Sequence, residues 1–77
     1  MGKYKIVVGT TDRKKRAQHQ YNLITKNNIN ADIKIYKVDS GELYCVEAGP
    51  YSGKKQVLQN LDKIKGLGVT NAFITSA

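Results

Sequence analysis

Across 77 residues the sequence has one cysteine, one histidine, one proline, one phenylalanine and no tryptophan. A single thiol, Cys45, cannot close an internal disulfide, and together with His19 it supplies too few nitrogen and sulfur ligands for a zinc site. Acids are scarce too. Six Asp and Glu are scattered along the chain without a spaced pair, so general acid–base chemistry has no matched couple to work with. No apolar run approaches the ~20 residues that span a bilayer, and no charged-then-apolar stretch opens the chain. Neither membrane insertion nor a cofactor is expected. Met1-Gly2-Lys3 reads as the cut edge of a fragment, which assigns any export signal to a longer parent chain. A chain this short buries only ~60–65% of its unfolded surface, which makes one domain over residues 1–77 with its core over 4–75 and leaves little volume for a deep substrate cavity.

Positive charge is what the sequence has in excess. Thirteen Lys and Arg against six acids give a formal net charge of +7. Six of the thirteen, Lys3, Lys5, Arg13, Lys14, Lys15 and Arg16, fall in the first sixteen residues. A field of this sign draws anionic partners such as nucleic acid, anionic lipid or an anionic wall polymer, without choosing among them.

The chain repeats itself. Shifted by forty residues, Tyr4-Lys5-Ile6-Val7-Val8-Gly9 overlies Tyr44-Cys45-Val46-Glu47-Ala48-Gly49, Lys14-Lys15 overlies Lys54-Lys55, and Ile24 and Ile29 overlie Ile64 and Val69. Identities are few, but each half reads strand, glycine, basic helix start, amphipathic helix, second strand. Two-residue alternation places Tyr4, Ile6 and Val8 on one face of the first strand and Tyr44, Val46 and Ala48 on one face of the third. Ile33 and Ile35 point inward from the second strand, Ala72 and Ile74 from the last. Helical spacing groups Ala17, Tyr21 and Ile24 with Leu23 beside them, and Val57, Leu58, Leu61 and Ile64 with Leu67 at the end. Asp12 and Ser52 are expected as N-caps and Gly68 as the left-handed residue that stops the second helix. Asp39-Ser40-Gly41-Glu42 marks a hairpin turn.

The resulting order is β-α-β-β-α-β, an α+β arrangement of ferredoxin-like, RNP-like type: a four-stranded antiparallel sheet with both helices on one face. Nothing is left to cover the other face. It should carry Lys5, Val7, Lys34, Tyr36, Cys45, Glu47, Phe73 and Thr75. Tyr36 and Phe73 supply flat rings for sugar or base faces, and Lys5 and Lys34 supply charge.

Elsewhere the bland readings prevail. His19, between two glutamines and off the apolar stripe, reads as a solvated residue. Glu47 reads as an ion-pair partner of Lys5 or Lys34 and Cys45 as a half-buried thiol, which the nearby Glu47 would hold in its protonated form. Gly9-Thr10-Thr11 and Gly49-Pro50-Tyr51 lack the spacing of a nucleotide-binding loop and read as tight turns off the sheet. Arg13-Lys14-Lys15-Arg16 stands out, because cations in a first helical turn oppose the helix dipole. A solvated basic face is the plainer reading of this run, and its cost to folding makes anion capture the alternative.

Leu43-Tyr44-Cys45-Val46-Glu47-Ala48-Gly49-Pro50-Tyr51, which ends Gly-Pro-aromatic, is similar to the third strand of the SPOR domain. Tyr4-Lys5-Ile6-Val7-Val8-Gly9-Thr10 resembles that family's first strand, and Gly68 followed by Ala72-Phe73-Ile74 resembles its close, so the likeness runs from Tyr4 to Thr75. The family is the sporulation-related, peptidoglycan-binding module of bacterial or phage cell-wall hydrolases and division proteins. The resemblance implies a non-catalytic module that binds peptidoglycan glycan strands, especially those stripped of stem peptides. It further implies a location in the bacterial cell wall, outside the cytoplasm. The module would be covalently linked to a catalytic or membrane-anchored domain in a larger secreted or phage-encoded protein, such as an N-acetylmuramoyl-L-alanine amidase, an endolysin or a division protein. On this reading the glycan-binding residues are Lys5, Val7, Thr10, Arg13, Arg16, Lys34, Tyr36, Glu47 and Phe73. The sequence departs from the family where it has Val7 for a frequent Gln, Thr10 for Ser, Thr11 for an aromatic, and Cys45 and Glu47 for basic residues. The fold alone also admits an RNA or single-stranded nucleic-acid reader of RRM-like type, although the first and third strands place no ring on the bare face. A small-ligand regulatory module that dimerises through its sheet is a third reading.

Overall fold

A computed structural model describes residues 2–77; Met1, where the expected fragment edge begins, lies outside the described residues. The elements are β1 (Tyr4–Thr11), α1 (Lys14–Lys26), β2 (Ala31–Val38), β3 (Gly41–Tyr51), α2 (Lys54–Gly66) and β4 (Phe73–Ser76). The sheet order is β2-β3-β1-β4 and every neighbouring pair is antiparallel. Each β-α-β half therefore holds a strand of the other half between its own two. This is the α+β architecture expected from the alternation.

The forty-residue repeat is visible in the elements themselves. Both helices are 13 residues long, and they begin at Lys14 and Lys54. The residue that turns the chain at each helix end repeats as well: Asn28 has φ 62° and Gly68 φ 98°, the left-handed conformation that stops a helix. Ile6, Val8, Val46 and Ala48 from the sheet meet Ala17, Ile24, Val57 and Ile64 from the helices, with Ile29, Tyr51 and Ala72 closing the rim. Tyr4, Tyr21, Ile33, Tyr44, Leu61, Leu67, Val69 and Ile74 pack against this core while keeping some solvent contact. Burying each large aliphatic side chain stabilises the fold by about 1.5–3 kcal/mol. The apolar stripe at helical spacing accounts for why residues 14–26 and 54–66 are helical in spite of their unfavourable first turns.

Four expectations need correction. Asp12 and Ser52 do not cap the helices. The strands run through Thr11 and Tyr51, so the caps fall one residue later, on Arg13 and Gly53, in extended backbone with no side-chain cap bond. Gly9 and Gly49 are not turns off the sheet but lie inside β1 and β3, at shifts of the β1–β3 register. Ile35 is not in the core. It is 55% exposed, because the β2–β3 hairpin, closed by Asp39 and Ser40, runs on past the helices that would cover its inner face. Leu58, one residue beyond buried Val57 on α2, likewise turns outward.

The two ends of the described chain lie together. The Ala77 amide donates to the Lys3 carbonyl at 3.0 Å and the Lys3 amide donates to the Tyr51 carbonyl at 2.9 Å. Among the described residues no helix is long and apolar enough to cross a membrane.

Candidate functional site

Residues opposite one another on paired strands share a face. The register therefore places Asp32, Glu47, Val7 and Phe73 in one row across all four strands, on the face away from the helices. Lys34, Cys45 and Thr10 form the next row, Tyr36 stands opposite Leu43, and Lys5 stands opposite Thr75. The face that the alternation leaves bare is thus assembled as expected. Asp32 and Leu43 also belong to it and were not in the expected set.

Thr10 reaches this face through an irregularity. Val7 and Thr10 are three residues apart, so strict alternation would put them on opposite sides. A register shift between Val7 and Gly9 sets two β1 residues against one on β3 and brings Thr10 back opposite Cys45.

Two residues dominate the relief of the surface. Tyr36 is 50% exposed and Phe73 is 55% exposed, Tyr36 on the outer strand β2 and Phe73 on the outer strand β4, so the rings flank the face instead of filling its centre. The centre is polar. Glu47 is only 7% exposed. Its Oε1 accepts from Lys5 Nζ at 3.0 Å and lies 3.5 Å from Lys34 Nζ, and the Cys45 thiol donates to its Oε2 at 3.7 Å. Burial opposes the Glu47 charge, but the Lys5 hydrogen bond and the two ammonium charges outweigh it and hold the carboxyl below its ordinary value of 4.5. The Glu47 hydrogen bond holds the Lys5 ammonium above its ordinary 10.5. Burial pushes the Cys45 thiol up, which leaves it protonated and unreactive at neutral pH.

A pH dependence follows from the signs. A carboxyl whose folded value is lowered contributes stability that is present above about pH 4.5 and is lost as the pH falls through the folded value. Lys5 adds the complementary limit, a contribution present below 10.5 and lost as the pH rises through the raised value. Glu47→Gln should therefore melt below the wild type by a constant margin between about pH 6 and 9. That margin should shrink towards zero as the pH falls below 4. Thermal melts across the range check this, and a margin independent of pH down to 2.5 would exclude the ion pair as its source.

The remaining expected site residues lie on α1. Arg13, Lys14, Lys15, Arg16 and His19 line a shallow exposed depression on that helix. There is no acid in the first turn of α1, and Glu47 is the one ion-paired carboxylate among the described residues. Arg13 stays with this cluster. Arg16 reaches further and joins a groove of about 570 Å³ at the edge of the sheet.

That groove arises from unequal strand lengths. β3 pairs with β1 as far as Thr11, whereas β4 pairs with it only to Val7. Beyond Val7 the edge of β1 has no strand partner, and residues 68–71 form the opposite wall. Val7, Thr10 and Phe73 line the groove on the bare-face side, and Arg16 and Gln20 line it from α1. Gln20, Asn71 and Thr70 were not anticipated from sequence. The signal available was the shortness of the apolar run at 72–74 beside the long first strand.

The SPOR domain family matches this chain over residues 1–76. The solution structure of the peptidoglycan binding domain of the B. subtilis cell wall lytic enzyme CwlC superposes with a TM-score of 0.77 at 21% identity, covering 100% of this chain and 91% of that one. At that identity the likeness is one of fold. No curated protein matches the chain.

Proposed function

Because the chain belongs to the SPOR domain family, we propose that it is a non-catalytic module that binds the glycan strands of peptidoglycan, and in particular strands lacking stem peptides. The observation that carries this reading is the continuity of the bare sheet face with the edge groove. Lys5, Lys34 and Arg16 bring positive charge to one open surface on which Tyr36, Phe73 and Thr10 also stand. Removal of the stem peptide leaves each muramic acid with a free lactyl carboxylate, so a stripped strand is a regular line of negative charge. Lysines and arginines attract that line, and the two rings can stack on sugar faces. Val7 contributes apolar contact beside Phe73. Glu47 acts through its neighbours, as a positioning residue that fixes the Lys5 and Lys34 ammonium groups, and Arg13 adds to the field from α1. The similar solved domain, described by its peptidoglycan binding, supports the same class of ligand.

In a larger protein such a module would hold a linked hydrolase or division protein at the cell wall. Its contribution would be a raised local concentration of the partner domain at the glycan. Amidases that cleave the stem peptide from the strand are the class of enzyme whose product this surface would retain.

Sedimentation with purified peptidoglycan, before and after amidase treatment, tests the proposal against single-stranded RNA. The expected result is retention on both wall preparations, at least several-fold stronger on the amidase-treated one, with weak and salt-labile RNA binding. Tight RNA binding without wall retention would reverse the assignment. The surface argues against that outcome, since readers of single strands stack bases on rings, whereas Lys5, Val7, Cys45 and Glu47 occupy the two central strands here.

A further inference from the structure

We propose that Gln20 determines specificity in the edge groove by reading the acetamido group of an N-acetylated sugar, an inference that rests on the glycan reading above. Gly9 supplies the first observation. A Cβ placed on Gly9 would fall 2.3 Å from Gln20 Oε1, 2.8 Å from Nε2 and 2.9 Å from Cδ. The Gln20 carboxamide therefore lies directly against the Gly9 backbone, in space that any side chain at position 9 would occupy. Gly9 is not among the glycines with positive φ, so its backbone does not require glycine. What fills the space above it is the end of the Gln20 side chain, which a Cβ at position 9 would displace.

The second observation is that this amide is half-buried in the groove and has no hydrogen-bond partner among the described residues. Its donors and acceptor are therefore open to a ligand in the groove. The third is the edge of β1 beyond Val7, where backbone N–H and C=O groups lack a strand partner on the groove side.

A carboxamide presents one acceptor and a pair of donors on a planar group. An acetamido group is a trans amide whose carbonyl and N–H point to opposite sides, so its carbonyl can accept from Gln20 Nε2 while its N–H donates to a backbone carbonyl on the unpaired edge of β1. A hydroxyl has no such paired arrangement. Every sugar of a peptidoglycan strand carries an amino group at C2, acetylated unless it has been modified. Arg16 lies one helical turn before Gln20 and lines the same groove, so a carboxylate on the same sugar would meet a guanidinium as the acetamido meets the amide.

The test is equilibrium binding of the wild type, Gln20→Leu, Gly9→Ala and the double variant to denuded glycan strands, both N-acetylated and chemically N-deacetylated. Gln20→Leu removes the amide while keeping an apolar side chain as far as Cδ, and Gly9→Ala keeps the amide but expels it from its seat. Each single variant should bind N-acetylated strands roughly tenfold more weakly. The double variant should be no weaker than either, because both remove one interaction. On N-deacetylated strands, wild type and Gln20→Leu should be equal. Undiminished binding of Gln20→Leu to acetylated strands, or an equal loss on both kinds of strand, overturns the role of Gln20 and leaves the glycan reading standing. If the wild type binds neither strand, the glycan reading fails and this inference fails with it. Gln20→Leu lies at a partly exposed helix position, and an unchanged thermal melt certifies its fold even if Gly9→Ala is less stable.

Discussion

Ile24→Ala is expected to lower the melting temperature by roughly 15 °C, the largest effect of any single truncation considered. Ile24 has no exposed surface and sits in the last turn of α1, where it belongs to the same buried cluster as Ile6, Val46 and Ile29. Removing three carbons from such a site costs the transfer free energy of the lost groups and leaves a cavity, together about 3 kcal/mol. In a domain of this size each kcal/mol moves the midpoint by about 4–8 °C. The molecule has only one sheet and one helical layer, so little neighbouring structure can collapse into the gap. Leu58→Ala is the matched control. At 45% exposed it should change stability by about 0.5 kcal/mol or less. Calorimetric melts of the two variants decide the matter. A drop below about 5 °C for Ile24→Ala would mean that this core is not the source of the stability.

The second large effect has opposite signs in two measurements. Replacing Arg13, Lys14, Lys15 and Arg16 together with alanine should weaken glycan binding by roughly 10–100-fold at low salt, while raising the melting temperature by about 5 °C. These residues occupy the N-cap and first three positions of α1, there is no acid in that turn, and the cap carries no side-chain bond. The positive end of the helix dipole thus meets four positive side chains, and their removal relieves the conflict. Binding loses the same four charges. The affinity difference should fall away as the ionic strength rises, because exposed charges are screened beyond about 8–10 Å at physiological salt. A variant that binds as tightly as the wild type would confine recognition to the sheet and its groove. One that loses both affinity and stability would assign the run a structural role.

The two effects also mark how far the sequence could be read. The buried side of each element was legible because period alone determines it: Ile24 and Ile64, Ala17 and Val57, Ile6 and Val46 are all buried where alternation and helical spacing put them. The bare face was legible for the same reason, as the complement of the buried one. What escaped depends on lengths and registers. Ile35 alternates correctly but lies beyond the helices, and no local signal reports where a neighbouring helix ends. Thr10 shares a face with Val7 only because a residue is inserted in the pairing. Gln20 sits off the apolar stripe and resembles any solvated helix residue; its placement depends on the absence of a side chain at Gly9, eleven residues earlier. Asp12 and Ser52 are good capping residues one position too early.

The pairing of Lys3 with both Tyr51 and Ala77 brings the ends of the described residues to one pole. Polypeptide continuing from either end departs from the same pole, at the start of β1, and the edge groove opens at the other end of that strand, some six residues and about 20 Å away. A cargo domain on either side would thus leave the edge groove open, while starting beside Lys5, Lys34 and Glu47, with which Ala77 shares a depression. The same adjacency makes the order of the halves interchangeable. Joining residue 77 to residue 3 by a short linker and opening the chain in the Asp39-Ser40 loop would exchange the two β-α-β units without moving a strand, and each half would then serve as the other's beginning.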